Sequence, residues 1–390
     1  MKTETTGQTN DTMVSAKLYL ALGLSSAEWK LGLTIGLGQA PRLRSLKARN
    51  LDGLRHEIDL AKERFGLAKE AEVFSCYEAG RDGFWLHRFL EVNGVKNLVV
   101  DSASIEVNRR FRRAKTDRLD VGKLLNMLMR YHQGEPKVWS VVHVPGVAEE
   151  DQRQLHRERM ALKRERTHHI NRMKGVLASQ GVVLEVKPDF VERLEAVRLW
   201  DGSPIPSGLQ ALLVREHERL QLVREQVHQI EDTRKEILQT SKDPAIEQVR
   251  RLLRLKGIGV NSAWVYVMEF FAWRAFRNRR ELGCLSGLTP TPYQSGESAR
   301  ERGTLAPGAS AGISKAGNRP VRAMAIEIAW AWLRNQPDSQ LSRWYRKRFA
   351  KGSSRVRRIG IVALARKLLI ALWQYLENGA LPDGAQLKPT

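Results

Sequence analysis

The chain has 390 residues, 42% of them hydrophobic, which is enough to bury real cores and suggests two or three domains rather than one. Its 65 Lys plus Arg against 43 Asp plus Glu give a formal charge of +22, so its field attracts polyanions, with nucleic acid ahead of a ribosomal surface or an anionic membrane as the partner implied. Two distant cysteines, Cys76 and Cys284, exclude a disulfide framework and a Cys–His zinc spacing and suit a reducing cytosol, while the polar start "MKTETTGQTNDTMVS" and the lack of a long uninterrupted apolar run argue against export and membrane spanning.

In chain order, "LYLALGL" is a short apolar run, "WKLGLTIG" alternates through Leu31, Leu33 and Ile35, and "RLRSLKA" alternates again, so three strands are expected. "NLDGLRHEIDLAKERFG" then carries Leu51, Leu54, Ile58 and Ala61 at helical spacing and stops at Gly66. A strand ("AEVFSCYE"), a helix closed by Gly94 ("DGFWLHRFLEVNG"), a strand ("VKNLVVD") and a helix from near Asp117 follow. This order predicts one α/β layer domain over residues 15–140.

Residues 149–245 read as a helical linker. "EEDQRQLHRERMALKRERTHHINRMKGVLASQG" is one long, charge-dense helix, and after the Pro-containing break at Asp201–Gly208 comes a second. There Leu213, Leu220, Val223, Val227, Ile230 and Ile237 keep a heptad-like spacing interrupted by Glu216 and Arg234, which fits a helical hairpin in one subunit as well as a dimeric coiled coil. Residues 246–350 open with "LLRLKGIGVNSAWVYVMEF" and run into a Gly- and Ser-rich basic stretch. Residues 351–390 form a last amphipathic helix with Val362, Ala365, Leu369, Leu372 and Leu376 on one face, read as core packing rather than as a membrane helix.

In "AKTDRLDVGKLL", Thr116 as a helix cap and the helix dipole account for Asp117 and Asp120 one at a time. The same i, i+3 spacing also places both carboxylates on one face, where they and Glu78 at the end of "VFSCYE" would share Mg²⁺. Three converging carboxylates repel one another, and a cation is the usual reason for such an arrangement. A ribonuclease-H-like layer would add an Asp on the first strand, but Gly23 stands there, and the nearest acids are Glu28 and Asp101.

"GLTPTPYQSGESARERG" sets Ser295 in a Gln-Ser-Gly stretch ahead of Arg300 and Arg302. This is either an ordinary turn or a nucleophile with cations to stabilise charge on an attacked phosphodiester. Gly257 and Gly259 of "LKGIGVNSA" resemble a helix-hairpin-helix turn that offers backbone N–H groups to a phosphate, or they simply end a helix. Lys315, Asn318, Arg319 and Arg322 in "ISKAGNRPVR" are candidate phosphate grips or solvated side chains, and His168 and His169 lack metal-site spacing.

Taken together, "LYLALGLSS", "YEAGRDGFW", "AKTDRLD" and the block "LLRLKGIG...FRNRRELGCLSGLTPTPYQSG...GISKAGNRPVR" resemble, in order and over nearly the whole chain, the bridge-RNA-guided insertion-sequence transposases of the "IS one-ten" family, the DEDD transposases related to Piv invertases. The resemblance implies a RuvC-like (ribonuclease-H-like) α/β N-terminal domain, a helical coiled-coil linker and a mainly α C-terminal transposase domain. It further implies a homo-oligomer, dimer or tetramer, acting on element ends and target DNA with a structured guide RNA, in the cytoplasm of a bacterium or archaeon near the nucleoid and away from membranes. By motif match Glu78, Asp117 and Asp120 become Mg²⁺-site acids and Ser295 the nucleophile. Gly23 departs from the family's first acid. That departure keeps two other readings open: a nucleic-acid-binding relic that does not cut, and a junction resolvase that works by metal alone.

Overall fold

The computed structural model describes residues 17–105, 117–135, 138–290, 313, 315 and 317–389. Its internal contacts divide the chain into two units, Met1–Val144 and Pro145–Thr390.

The first unit is a mixed five-stranded sheet with helices on both faces. Its elements are β1 (Leu18–Gly23), β2 (Glu28–Thr34), β3 (Arg42–Lys47), α1 (Leu51–Arg64), β4 (Val73–Glu78), α2 (Trp85–Val92), β5 (Val95–Val100) and α3 (Asp117–His132). Strand order is β3-β2-β1-β4-β5, with β1 antiparallel to β2, β2 antiparallel to β3, and β1–β4 and β4–β5 parallel. The α2 crossover joins the parallel pair β4 and β5, which a hairpin cannot do.

Alternation decides which helix covers which face. Leu18, Leu20, Leu22, Leu31 and Leu33 pack with Leu54, Ile58 and Ala61 of α1 and Leu86 and Leu90 of α2. Their neighbours Ala21 and Cys76 pack instead with Val121, Leu124, Leu125 and Leu128 of α3. The two sets differ by one step along the strand, so each face receives its own helices.

The second unit is helical. It contains α4 (Val147–Gln152), α5 (Gln154–Ala178), α6 (Phe190–Glu195), α7 (Ser207–Thr240), α8 (Pro244–Leu253), α9 (Val260–Tyr266), a π-helical turn (Val267–Phe271), α10 (Arg279–Leu285), α11 (Arg319–Asn335), α12 (Gln340–Phe349) and α13 (Ser354–Asn378). The single long helix expected from Glu149 is instead split at Arg153 into α4 and α5. Glu149 caps α4 by accepting from the Gly146 N–H at 2.6 Å, and the Arg153 side chain leaves the helix surface to lie over the Trp273 ring, 4.7 Å from its centroid.

Within this unit, α5 and α7 pair as an antiparallel hairpin, with Leu162 set among Val223, Val227 and Ile230. The heptad-like seam is therefore occupied inside one chain. Its polar interruptions are buried as well: Glu216 accepts from His169 Nδ1 at 2.8 Å and Arg219 at 2.9 Å, and Arg172 approaches at 3.5 Å. Burial pushes Glu216 upward, but these donors outweigh it and hold the carboxyl below its ordinary value.

Helices α8 to α13 enclose the largest core, around Trp264, Phe270, Ile328, Trp332, Leu364, Leu368 and Leu372. Helix α13 is long and apolar enough to cross a membrane by length and composition, yet half of that stretch is buried among its neighbours. Ala365, Leu369, Leu372 and Leu376 face this core, as the spacing predicts.

Candidate functional site

Because β1 and β4 are parallel neighbours with Leu22 opposite Tyr77, their carboxyl ends lie side by side. There the chain forms a cleft of about 530 Å³ lined by Gly23, Ser25, Ser26, Glu78, Arg81, Asp82 and Asp120, among others. The carboxyl edge of parallel strands is where α/β sheets commonly hold ligands.

Glu78 is the last residue of β4 and is exposed, because the strand alternation that buries Tyr77 turns its neighbour outward. Asp120 sits in the first turn of α3, exposed on the same cleft. Neither carboxylate has a hydrogen-bond or ion-pair partner among the described residues, so both are available to a cation. The structure thus brings Glu78 and Asp120 together. Asp117 begins α3, but its side chain lies outside the described residues. Among the described residues no group of three or more His, Cys, Asp or Glu has the arrangement of a metal cage. Mg²⁺ in phosphate-handling sites is commonly held by one or two carboxylates plus substrate oxygens and water, and an unpaired pair of carboxylates fits that pattern.

Gly23 has a packing reason of its own. A Cβ there would lie 2.9 Å from Val121 Cγ2, and a Cβ at Gly32 would lie 2.7 Å from Val121 Cγ1. Val121 therefore sits in a notch made by two glycines, which lets α3 approach the sheet closely and fixes Asp120, its chain neighbour, over the strand ends. A side chain at position 23 would push against that helix.

The sequence reading passed over Asp82. Its side chain is 11% exposed, lines the cleft and lies 3.8 Å from Arg81. The available signal was its place four residues after Glu78, in a loop bounded by Gly80 and Gly83.

In the second unit, Ser295, Arg300 and Arg302 lie outside the described residues. Gly257 has φ +87° and faces α11, where a Cβ would lie 3.3 Å from the Ala331 carbonyl oxygen; Gly259 is exposed and caps α9. Lys315 is exposed, and its carbonyl accepts from Arg322. Arg319 is exposed at the start of α11. Asn318 is committed elsewhere: its Oδ1 accepts from the Val321 N–H at 2.9 Å to cap α11, and its Nδ2 donates to Glu269 Oε2 at 3.2 Å.

Glu269 is the centre of a buried network that the sequence did not announce. It is 1% exposed, sits in the π-helical turn, and accepts from His156 Nε2 at 2.8 Å and from Arg157 Nε and Nη2 at 2.7 and 3.0 Å. Burial pushes its carboxyl up, but His156 and Arg157 override this and hold it far below the usual range. Burial likewise lowers His156, so its imidazole is neutral near pH 7. Beside them, Arg153 and Arg274 lie over Trp273 at 4.7 and 4.1 Å, and burial pulls Arg274 down to about 10.

A carboxylate-edged cleft on a mixed sheet, in a strongly basic chain with a helical second unit, has the character of a nucleic-acid-processing protein. Similarity to known proteins narrows this. The sequence model of the Transposase IS116/IS110/IS902 family matches residues 249–346. A protein named putative transposase y4rJ, from Sinorhizobium fredii, is 39% identical over 384 residues, covering 95% of this chain and 94% of its own length. The transposase for insertion sequence element IS1328 of Yersinia enterocolitica is 28% identical over 229 residues, 58% of this chain and 63% of its own. A probable family 20 transposase of Pseudomonas aeruginosa is 28% identical over 246 residues, 61% of this chain and 68% of its own. The chain belongs to the IS116/IS110/IS902 family of transposases.

Proposed function

We propose that this transposase cleaves and rejoins DNA at insertion-sequence ends with Ser295 as nucleophile and with Glu78, Asp117 and Asp120 as acids of a Mg²⁺ site. The observation that carries the reading is the meeting of Glu78 and Asp120, without a partner among the described residues, at the carboxyl ends of β4 and β1. The strand order β3-β2-β1-β4-β5, with α3 on one face, supports a RuvC-like layer over residues 15–140. Linker, transposase and terminal-helix regions at 149–245, 246–350 and 351–390 complete the proposed organisation.

In the proposed chemistry the Ser295 oxygen forms a bond to phosphorus and a deoxyribose hydroxyl leaves; the proton lost by serine is matched by the one the leaving oxygen gains. Attack by a hydroxyl of the exchanged strand restores the diester and frees the serine. A bound Mg²⁺ would supply Lewis acidity to the phosphoryl oxygens. Glu78 and Asp120 hold their charge in place for it, and Arg300 and Arg302 offset the negative charge that builds on the phosphoryl group. Gly257, Gly259, Lys315, Arg319 and Arg322 contact the nucleic-acid backbone. A structured guide RNA and a homo-oligomer in the cytoplasm belong to the same reading, supported by the charge of +22 and the family's motifs.

Excision and insertion of a plasmid-borne element, with and without its flanking non-coding RNA, test the reading in wild type, Ser295→Ala and Glu78→Gln. Both variants should bind DNA and fail to recombine, and only wild type should form a covalent adduct. Recombination by Ser295→Ala refutes the serine assignment. Gly23, where an acid is expected, favours the relic as second reading; it predicts binding with no adduct from wild type.

A further inference from the structure

Between Asp338 and Glu377 the sequence holds no acidic residue, while eight Lys and Arg fall between Arg343 and Arg358. The structure turns this tract into one rigid edge. Helices α12 and α13 meet at a short turn, residues 350–353, where the Phe349 ring sits so close to Gly360 that a Cβ there would lie 2.5 Å from Phe349 Cγ. The Tyr345 hydroxyl donates to the Arg357 carbonyl oxygen at 3.4 Å across the same junction. The cations at the end of α12 and the start of α13 are thus held together despite their mutual repulsion.

Two features make this arrangement costly for the protein alone. First, Arg355, Arg357 and Arg358 occupy the opening of a 25-residue helix, where the dipole favours acids and disfavours cations. Second, α13 overshoots its core. Residues 354–359 are all exposed, and burial begins only at Gly360 and Ile361. Val356 and Ile359, 37% and 55% exposed, lie among the arginines on this projecting stub. The stub meets its neighbours through Val356 against Gly352 and through the Arg357 carbonyl, contacts that need no cationic side chain. The adjoining end of α12 adds Arg346, Lys347 and Arg348, all exposed, in its last turn.

We infer that the α12–α13 edge is a DNA docking surface in which Arg346, Lys347, Arg348, Arg355, Arg357 and Arg358 straddle the phosphodiester backbone of a DNA duplex. Two helices joined by a short turn, with the projecting start of the second carrying both cations and small apolar side chains, match what a groove-facing helix needs: phosphate contacts for register and apolar contacts beside them. The site takes the phosphodiesters of duplex DNA, whose major groove admits a helix, whereas the major groove of A-form RNA is deep and narrow. It extends past the family-matched segment, which ends at residue 346, and depends on neither the acidic cleft nor Ser295.

Binding of a short DNA duplex of arbitrary sequence, and of an RNA duplex of the same sequence, is measured against salt for the full chain. The proteins are wild type, the double variant Arg355→Gln/Arg358→Gln, and a charge-matched control, Arg64→Gln/Lys69→Gln on and just after α1. Each lost phosphate contact lowers the log–log salt slope by about 0.9 on duplex DNA, so the docking variant should lose close to two, with its thermal midpoint unchanged or raised. The control should keep the wild-type slope. An equal loss in both variants reduces the effect to net charge and overturns the proposal, as does an unchanged slope in the docking variant. Anionic vesicles form a third arm: if the variant loses vesicle binding while keeping both duplex slopes, the surface serves a membrane and the proposal fails. Loss on the DNA duplex, with or without loss on RNA, supports the proposal, and loss on the RNA duplex alone overturns it. Since binding rather than recombination is read, an inactive Ser295 site leaves the outcome untouched.

Discussion

Replacing Glu269 by Gln keeps the shape of the side chain and removes its charge. The native carboxylate is 1% exposed and accepts from three neighbours, His156, Arg157 and Asn318. A Gln offers one accepting oxygen, and its NH₂ must then face a group that is itself a donor. Breaking a buried ion pair from one side costs about 3–5 kcal/mol, and since the Arg157 side chain is 45% exposed and can turn to water, about 3 kcal/mol is expected. For a unit of this size each kcal/mol moves the thermal midpoint by about 2–4 °C, so the midpoint should fall by about 6–12 °C. Calorimetry of wild type, Glu269→Gln, Arg157→Gln and the double variant measures both the loss and the coupling. A fall of under about 2 °C, or strictly additive single effects, would refute the network as a source of stability.

Two other outcomes follow from features of the two units. Gly23→Asp alone should destabilise the first unit by about 1–3 kcal/mol through overpacking against Val121, and adding Val121→Ala should recover most of it; chemical unfolding measures both, and no recovery would show that the notch is not the cause. His156 and Glu269 both have native values below their ordinary 6.5 and 4.5, so on acidification the unfolded chain binds protons first. Stability of the second unit should therefore fall as pH drops below about 6.5, steepening through the carboxyl range, with the lower segment flattened in Glu269→Gln; a midpoint constant between about pH 7 and 5 would contradict this.

Periodicity made much of the fold legible. Alternation in "WKLGLTIG" and the helical stripe of Leu54, Ile58 and Ala61 each reflect burial on one side of a local element, which is a short-range property. That Glu78 and Asp120 line one cleft was within reach of the sequence, since an acid at a strand end and another at a helix start approach once strand order is guessed; the third expected acid, Asp117, has its side chain outside the described residues. What stayed hidden depends on contacts between distant residues. The packing role of Gly23 was hidden because Val121, its partner in space, is far along the chain. Glu269 stands in the apolar run "VYVMEFF", and the His156 and Arg157 that make its burial tolerable lie more than 100 residues upstream. The cationic tract at Arg343–Arg358 blended into a chain basic throughout, and only the overshoot of α13 beyond its core separates it from ordinary solvated charge.

The π-helical turn at Val267–Phe271 has a consequence for how this segment can vary. Its widened ring, closed by the Ala272 N–H donating to the Val267 carbonyl at 2.9 Å, holds one more residue than an α-helical turn would. All five of its residues are buried, so no side of it is left to water. Loss of a single residue there would reset the helix to its regular pitch and rotate everything downstream by about 100°, carrying Trp273 and Arg274 out of phase with Glu269. The length of this turn is therefore constrained as well as its composition: a substitution disturbs one buried contact, whereas a deletion shifts every contact downstream.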